Sequence, residues 1–371
     1  MRPPAAWTPP HCRVDPRSRV RFLEPIGLLH GRAAAEAIAS GLALPLAGGP
    51  GAFTVARLMA SGMAKMLVPV TAIPADWQVE IQRITAAPPA WAGLPAGKPL
   101  IMGILNITPD SFSDGGAHFD TRAAIEAGHA MVQAGAAILD VGGESTRPGA
   151  AAVWEGDEIK RVIPAIERLA AMGAAISVDT RRTAVMEAAL DAGAQVINDV
   201  SALRHDPRSL EFAAGSGAPV VLMHAPGEGE DLHGGGDYAD VVLDVFDWLR
   251  ARRDAAIAAG IGRERIVLDP GIGFGKSVAD NLALINGLAL FHALGQPLLL
   301  GVSRKRMIGA LSGEAPAHQR LGGSLTLALR GVDAGVQLLR VHDVPETIQA
   351  VRVWRGMRDA ALTDFGQLPP G

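Results

Sequence analysis

Beyond residue 100 the chain alternates between short apolar runs and longer stretches patterned like helices. The runs are LIMGILN, AAILDV, AAISVDT, AQVIND, APVVLMH, RIVLDP, PLLLGVS and VQLLRVH, all rich in Val, Ile or Leu. Among the stretches between them are TRRTAVMEAALDAG, where Val185, Met186, Ala189 and Leu190 share one face, and DYADVVLDVFDWLRARRDAAIAAG. A strand that is apolar on both faces belongs inside a parallel sheet covered by helices. Eight such units in about 260 residues match a closed (β/α)8 TIM barrel. An open doubly wound sheet is the alternative arrangement.

Each apolar run stops on or beside a polar residue. In order these are Asn106, Asp140, Asp179, Asn198, His224, Asp269, Ser303 and the pair Arg340/His342. Strand ends are often polar simply because chains turn there. Eight in succession point instead to one shared mouth at the C-terminal end of the barrel, where such folds carry their chemistry. Arg340 and His342 stand two apart, so on a strand they face the same way. With Arg147 in GGESTRPG and Lys305 in GVSRK, they suit a polyanion such as a diphosphate. Arg304 and Arg306 are read as a solvated helix start.

Asp179, Asn198 and Asp269 require a different partner. Buried carboxylates are costly unless something donates hydrogen bonds to them. A flat heterocycle with an amine beside a ring N–H could donate two parallel bonds to one carboxylate, with Lys305 donating to the ring carbonyl. A pterin and a guanine both fit. DPGIGFGKS, residues 269–277, fails the phosphate-loop pattern because Pro270 stands where the first glycine is required. Its glycines suit close backbone approach to a ligand, with Phe274 as a stacking face. His205, His233, His292 and His318 lack metal-ligand spacing and are read as surface or packing residues.

The first 97 residues carry no chemical constellation. Their Ala, Gly and Pro content suggests a short helix, some strand and a packing role, and the Pro-rich residues 86–99 look like a linker. The expected division is a 1–97 extension and a 98–371 barrel. A net charge of −4 argues against a nucleic-acid binder relying on bulk positive charge. A single cysteine, Cys12, excludes an internal disulfide and fits a reducing compartment. The Pro-rich, charged start is unlike a signal peptide, and no apolar run is long enough for a membrane span. The expectation is a cytoplasmic protein without a membrane partner.

MGILNITPDSFSDGG, LDVGGESTRPGA, SVDTRRTAVM, VINDVSAL, LDPGIGFGK, GVSRKRMIG and LLRVHDV occur here in the order of the dihydropteroate synthases, which this chain resembles from about residue 100 to 357. The resemblance implies condensation of 6-hydroxymethyl-7,8-dihydropterin diphosphate with 4-aminobenzoate, in a homodimer paired through outer helices of the barrel. It assigns Asp179, Asn198, Asp269 and Lys305 to the pterin, with Met223, Phe274 and Gly301 lining its slot. Asn106, Arg147, Arg340 and His342 would receive the diphosphate, and Asn106 with Asp114 would hold Mg²⁺. Phe112, Thr146, Pro148, Phe274 and Ser303 would form the aminobenzoate pocket, and Asp140 would bond the pterin or support a loop. The loop from Asn106 to Gly116 would act as a lid. After VVLMH the family usually continues with further Met and Gln, whereas this chain has APGEGEDLHGGGDYADVV. A pterin-dependent methyltransferase and a non-catalytic pterin-binding paralogue are the competing readings.

Overall fold

The computed structural model describes residues 21–60, 64–94, 97–107, 117–146, 149–150 and 152–359, without the side chains of 117–120. Phe112, Asp114, Arg147 and Pro148 lie outside the described residues, as do Cys12 and most of the expected lid.

The eight apolar runs are the eight strands of a parallel barrel. They are β5 (Leu100–Asn106), β6 (Ile138–Gly142), β7 (Ile176–Asp179), β8 (Val196–Asp199), β9 (Val220–Met223), β10 (Ile266–Asp269), β11 (Leu299–Leu300) and β12 (Leu338–Val341). They are ordered β10-β9-β8-β7-β6-β5-β12-β11. A parallel bridge between Leu268 and Leu298 joins the two ends and closes the ring. Between the strands run α3 (Ala117–Ala134), α4 (Glu155–Ala171), α5 (Thr183–Asp191), α6 (Ser209–Ser216), α7 (Val241–Ala258), α8 (Val278–Asn286), α9 (Arg306–Leu311) and α10 (Leu321–Asp333), with α11 (Val344–Arg358) after the last strand. Val185, Met186 and Ala189 of α5 are fully buried, as their spacing requires. Asp240 caps α7 by accepting from Leu243 N, and Ser277 starts α8 in a reciprocal pair with Asp280. No helix among the described residues is long and apolar enough to cross a membrane.

The N-terminal part is more ordered than a short helix and some strand. Strand β1 (Arg21–Leu29) pairs antiparallel with β3 (Ala52–Ala60), from Arg21 opposite Ala60 to Leu29 opposite Ala52. Two short strands, β2 (Leu44–Pro45) and β4 (Met66–Pro69), also pair with β3. Helices α1 (Gly31–Ala39) and α2 (Gln78–Thr85) complete the module. Its core of Leu23, Phe53, Leu58, Trp77 and Ile84 includes Ala289 from the 3-10 segment Leu288–Leu294 of the barrel. Phe22 meets Phe246 of α7 edge-on at 5.3 Å. The module is therefore seated on the barrel's wall.

Residues 86–99 are not a plain linker either. Trp91 is buried among Leu100, Met102, Ile138, Val196, Val221, Val267, Leu299 and Leu338, and its Nε1 donates to the Arg265 carbonyl at 3.0 Å. An indole with its one donor satisfied is well suited to closing the lower end of a barrel.

Candidate active site

Residues two apart on a strand point to the same side, which sorts the barrel interior into layers. The apolar layer that packs on Trp91 includes Ile138, Val196, Val221, Val267, Leu299 and Leu338. Two residues onward along the same strands stand Asp140, Asn198, Met223, Asp269, Gly301 and Arg340. Strand β7 adds Asp179 to this second layer, and β5 ends on Asn106. One register step turns a hydrocarbon floor into a polar mouth.

Arg340 organises that mouth. Its Nε donates to Asp140 at 2.5 Å and its Nη2 to Asp179 at 2.6 Å, while Asn198 Nδ2 donates to the same Asp140 oxygen at 3.0 Å. The sequence had suggested Arg340 and His342 as two free rim cations. Arg340 instead lies one layer deeper, between two carboxylates, and its Nη1 takes part in neither pair. His342 is not a free rim cation either. Burial, reinforced by Arg340 and Arg304, drives its pKa down to about 4, so the imidazole is neutral. Its Nδ1 lies 3.0 Å from Ser303 Oγ, which also accepts from the His342 backbone N–H.

Asp269 and Lys305 face the same space. Asp269 Oδ1 accepts from Gly271 N at 2.7 Å, and Oδ2 lies 3.9 Å from where a Cβ on Gly301 would stand. Burial raises the Asp269 carboxyl to about 6, against the pull of the Gly271 N–H and Lys305. Burial likewise raises Asp179, despite Arg340. It lowers Lys305 to about 8, with Asp269 opposing. Lys305 Nζ sits 4.4 Å over the ring of Phe274. Met223 and Phe274 pack in one small apolar cluster with Val200, Ala225 and Leu232. Carboxylates pushed up and an amine pushed down in one cleft are the mark of a site built for a ligand.

His224 departs from the expected pattern. It follows Met223, so the strand's alternation turns it away from the mouth and against Trp248 of α7, with ring centroids 4.8 Å apart. Its Nδ1 accepts from Lys276 at 2.9 Å, and Lys276 also donates to the carbonyls of Gly271 and Phe274. Lys276 thus ties down the loop that carries Phe274 and is turned away from any phosphate role. Arg304 also departs from expectation: it adopts a left-handed conformation (φ 57°) and pairs with Asp343, whereas Arg306 pairs with Glu314 at the surface.

A second set of residues had no individual signal in the sequence. Glu144, in the loop after β6, accepts from Arg181 at 2.9 Å and from Arg182 at 2.8 Å. Arg182 also reaches Glu158 at 2.8 Å, and Arg181 reaches Glu230 and the Gly229 carbonyl, both at 2.9 Å. Burial would raise Glu144, but the bonds from Arg182 and Arg181 outweigh it and hold the carboxyl below its usual range. This network joins the loops after β6, β7 and β9. His233 extends it across the mouth. Its ring stacks on Phe274 at 5.0 Å and 10°, and its Nε2 lies 3.0 Å from the Thr146 carbonyl. His233, read from the sequence as a surface or packing residue, thus packs on Phe274 and also reaches the loop after β6. The RR pair directly after SVDT was the available clue to the network.

The inward set Asn106, Asp140, Asp179, Asn198, Met223, Asp269, Gly301, Arg340 and His342, with Phe274, Ser303 and Lys305 on adjoining loops, lies at one end of the barrel. Among the described residues no group of three or more His, Cys, Asp or Glu is arranged to hold a metal.

Residues 102–342 match the family model described as pterin binding enzyme. The dihydropteroate synthase of Escherichia coli K12 is 46% identical over 256 residues, covering 69% of this chain and 90% of its own length. A probable bifunctional folylpolyglutamate synthase/dihydropteroate synthase of Haloferax volcanii is 48% identical over 259 residues, 70% of this chain but only 30% of that protein. Among solved structures, the Xanthomonas albilineans dihydropteroate synthase with 4-aminobenzoic acid superposes with a TM-score of 0.68 at 47% identity, covering 74% of this chain and 96% of that one. The same enzyme in complex with 7,8-dihydropteroate gives 0.65 at 44% identity, covering 74% of this chain and 97% of that one.

Proposed function

This chain belongs to the dihydropteroate synthases of the pterin-binding enzyme family, and from that premise we propose that its polar mouth joins 6-hydroxymethyl-7,8-dihydropterin diphosphate to 4-aminobenzoate, giving 7,8-dihydropteroate and diphosphate for folate biosynthesis. The observation that carries the reading is Asp269 Oδ2 facing the open side of Gly301, with Lys305 against Gly273 of the next loop and close enough to act on the Asp269 charge, beside the Asp140–Arg340–Asp179 cluster. The amine and ring N–H of the pterin donate to Asp269, Lys305 donates to the ring carbonyl, and Asn198 and Asp179 bond the remaining edge. Asp140 Oδ1 and Ser177 Oγ are buried without a hydrogen-bond partner among the described residues and stand in register on β6 and β7. A polar ligand in this layer would satisfy them.

The diphosphate belongs above the ring, with Arg147, Asn106, His342 and the Nη1 of Arg340, which joins neither carboxylate pair. His342 enters as a neutral hydrogen-bonding group, and the leaving anion would draw its pKa upward. Asn106 and Asp114 would hold Mg²⁺. Asn106 Oδ1 lies 3.7 Å from the point a Gly142 Cβ would occupy, close to Asp179, so an oxygen donor of the kind a hard cation prefers opens on to the polar layer. Bound there, the ion would neutralise diphosphate charge. The aminobenzoate ring would sit among Phe112, Thr146, Pro148, Phe274 and Ser303.

The chemistry is a dissociative substitution at the pterin methylene. The C–O bond breaks and its electron pair leaves with diphosphate, while the carboxylates stabilise positive charge on the electron-rich ring. The arylamine nitrogen then forms the C–N bond and releases one proton. Purified protein should release diphosphate only when both 4-aminobenzoate and the pterin diphosphate are present. Release independent of aminobenzoate would defeat the reading. Positional isotope exchange within the diphosphate, before the arylamine is added, supports early C–O cleavage, and a trapped protein–pterin adduct would refute a dissociative path.

The single cysteine supports a cytoplasmic setting. Exposed Val353 and Met357 on α11 and Leu311 on α9 support pairing of two copies through outer helices.

A further inference from the structure

We propose that His233 is a positioning residue of the arylamine subsite, holding Phe274 and the loop after β6 at the separation that admits the aminobenzoate ring. The inference rests on the reading of this mouth as a dihydropteroate synthase site. His233 comes from the glycine-rich loop that departs from the family pattern, yet it touches two of the residues assigned to that pocket. Its ring lies nearly parallel to Phe274, at 10° and 5.0 Å. A carbonyl oxygen can only accept, so the 3.0 Å contact with Thr146 places a proton on Nε2 and makes His233 the donor.

The loop is built to present this ring. Asp231 Oδ1 accepts from the backbone N–H of both His233 and Gly234, at 3.0 and 2.9 Å, which fixes the turn at the histidine. Leu232, the preceding residue, is buried in the cluster containing Met223 and Phe274. Three residues later a Cβ on Gly236 would come within 1.8 Å of the Gly275 carbonyl, so only glycine permits this approach to the Phe274 loop. On the other side of the turn, Arg181 holds the Gly229 carbonyl and Glu230. The His233 backbone is thus anchored from both directions, and its ring joins the two loops. A stack and a single hydrogen bond are each modest interactions, but both act on the pocket wall.

The test separates substrate constants in three variants of the full chain, with thermal melting measured alongside. His233→Ala removes both contacts and should raise KM for 4-aminobenzoate about tenfold, while KM for the pterin diphosphate stays within about twofold. His233→Phe keeps the stack and His233→Gln keeps a donor, so each should restore part of the loss. These two milder variants keep the test informative if the alanine variant folds poorly. An unchanged aminobenzoate KM in all three, or equal shifts in both substrate constants, overturns the proposal. A lower KM would also overturn it, since the ring would then obstruct the subsite instead of shaping it. Wild-type protein that shows no aminobenzoate-dependent diphosphate release would sink the underlying reading, a result distinct from a turnover-competent enzyme indifferent to residue 233.

Discussion

The floor and the mouth of this barrel are made by the same strands, one register step apart, yet they differ in almost every physical respect. The floor is Leu, Val, Ile and Met closed beneath by Trp91, whose one polar atom has its partner. The mouth holds carboxyls raised by burial, a lysine lowered by it, and two buried oxygens without partners among the described residues. Burial of apolar groups stabilises the fold, whereas burial of imperfectly paired charge opposes it. The difference teaches that stability and chemistry are divided by depth along each strand and need not compete for the same positions.

The sharpest way to break that division is at the mouth. Asp269→Asn keeps an oxygen for the Gly271 N–H but presents an amide donor where the pterin ring needs a second acceptor. We expect kcat/KM for the pterin diphosphate to fall about 10³-fold, because a buried donor would meet a donor. Steady-state kinetics on the folded variant checks this. A loss below about tenfold would remove Asp269 from ring recognition.

The converse experiment is at the floor. Trp91→Ala empties a closed apolar layer and should destabilise the protein by about 3 kcal/mol, the scale for large-to-small changes in a core. The molecules that remain folded should keep kcat/KM within about twofold, since no atom of the mouth has moved. Denaturant unfolding and kinetics below the midpoint measure the two halves. A large fall in turnover with little change in stability would mean that depth does not separate the roles.

This division was only partly legible from residues. Hydrophobic runs of strand length gave the eight barrel strands, and their polar ends gave most of the mouth. The same reading misplaced His224, because the end of an apolar run does not reveal which face a residue takes. Parity with Asp269 or Asn198 would have shown Met223 facing inward and His224 outward. The network of Glu144, Arg181, Arg182 and Glu230 joins residues far apart in sequence, and the adjacent arginines hint at it without revealing their partners. The N-terminal sheet was hidden for another reason. Its strands RFLEPIGLL and AFTVARLMA carry Pro, Gly and Ala where a strand pattern usually shows β-branched residues. Trp91 was overlooked because its prolines marked the segment as a linker, although proline restricts local conformation without preventing a neighbour from being buried.

The smallest expected effect is the most direct measure of the conflict at the mouth. In the fold the Asp269 carboxyl titrates at about 6, against an ordinary value of 3.8. An acid with a raised folded-state pKa binds its proton more tightly when folded. It therefore adds no penalty below pH 3.8, and its ionisation destabilises the fold increasingly as pH rises to about 6, with the full penalty present above that. A tenfold change in proton affinity corresponds to about 1.4 kcal/mol, and relaxation around the site reduces what is realised. Asp269→Asn cannot ionise, so it should be more stable than wild type by about 1–2 kcal/mol at pH 8 and indistinguishable at pH 4. Melting curves across that range would show the gap opening above about pH 4 and complete by about pH 6. A difference that does not vary with pH would mean the carboxylate is no burden to the fold, and the contrast between floor and mouth would lose its energetic basis. If the gap opens as described while turnover collapses in the same variant, a single side chain will have been shown to lower stability and to serve the reaction by the same buried charge.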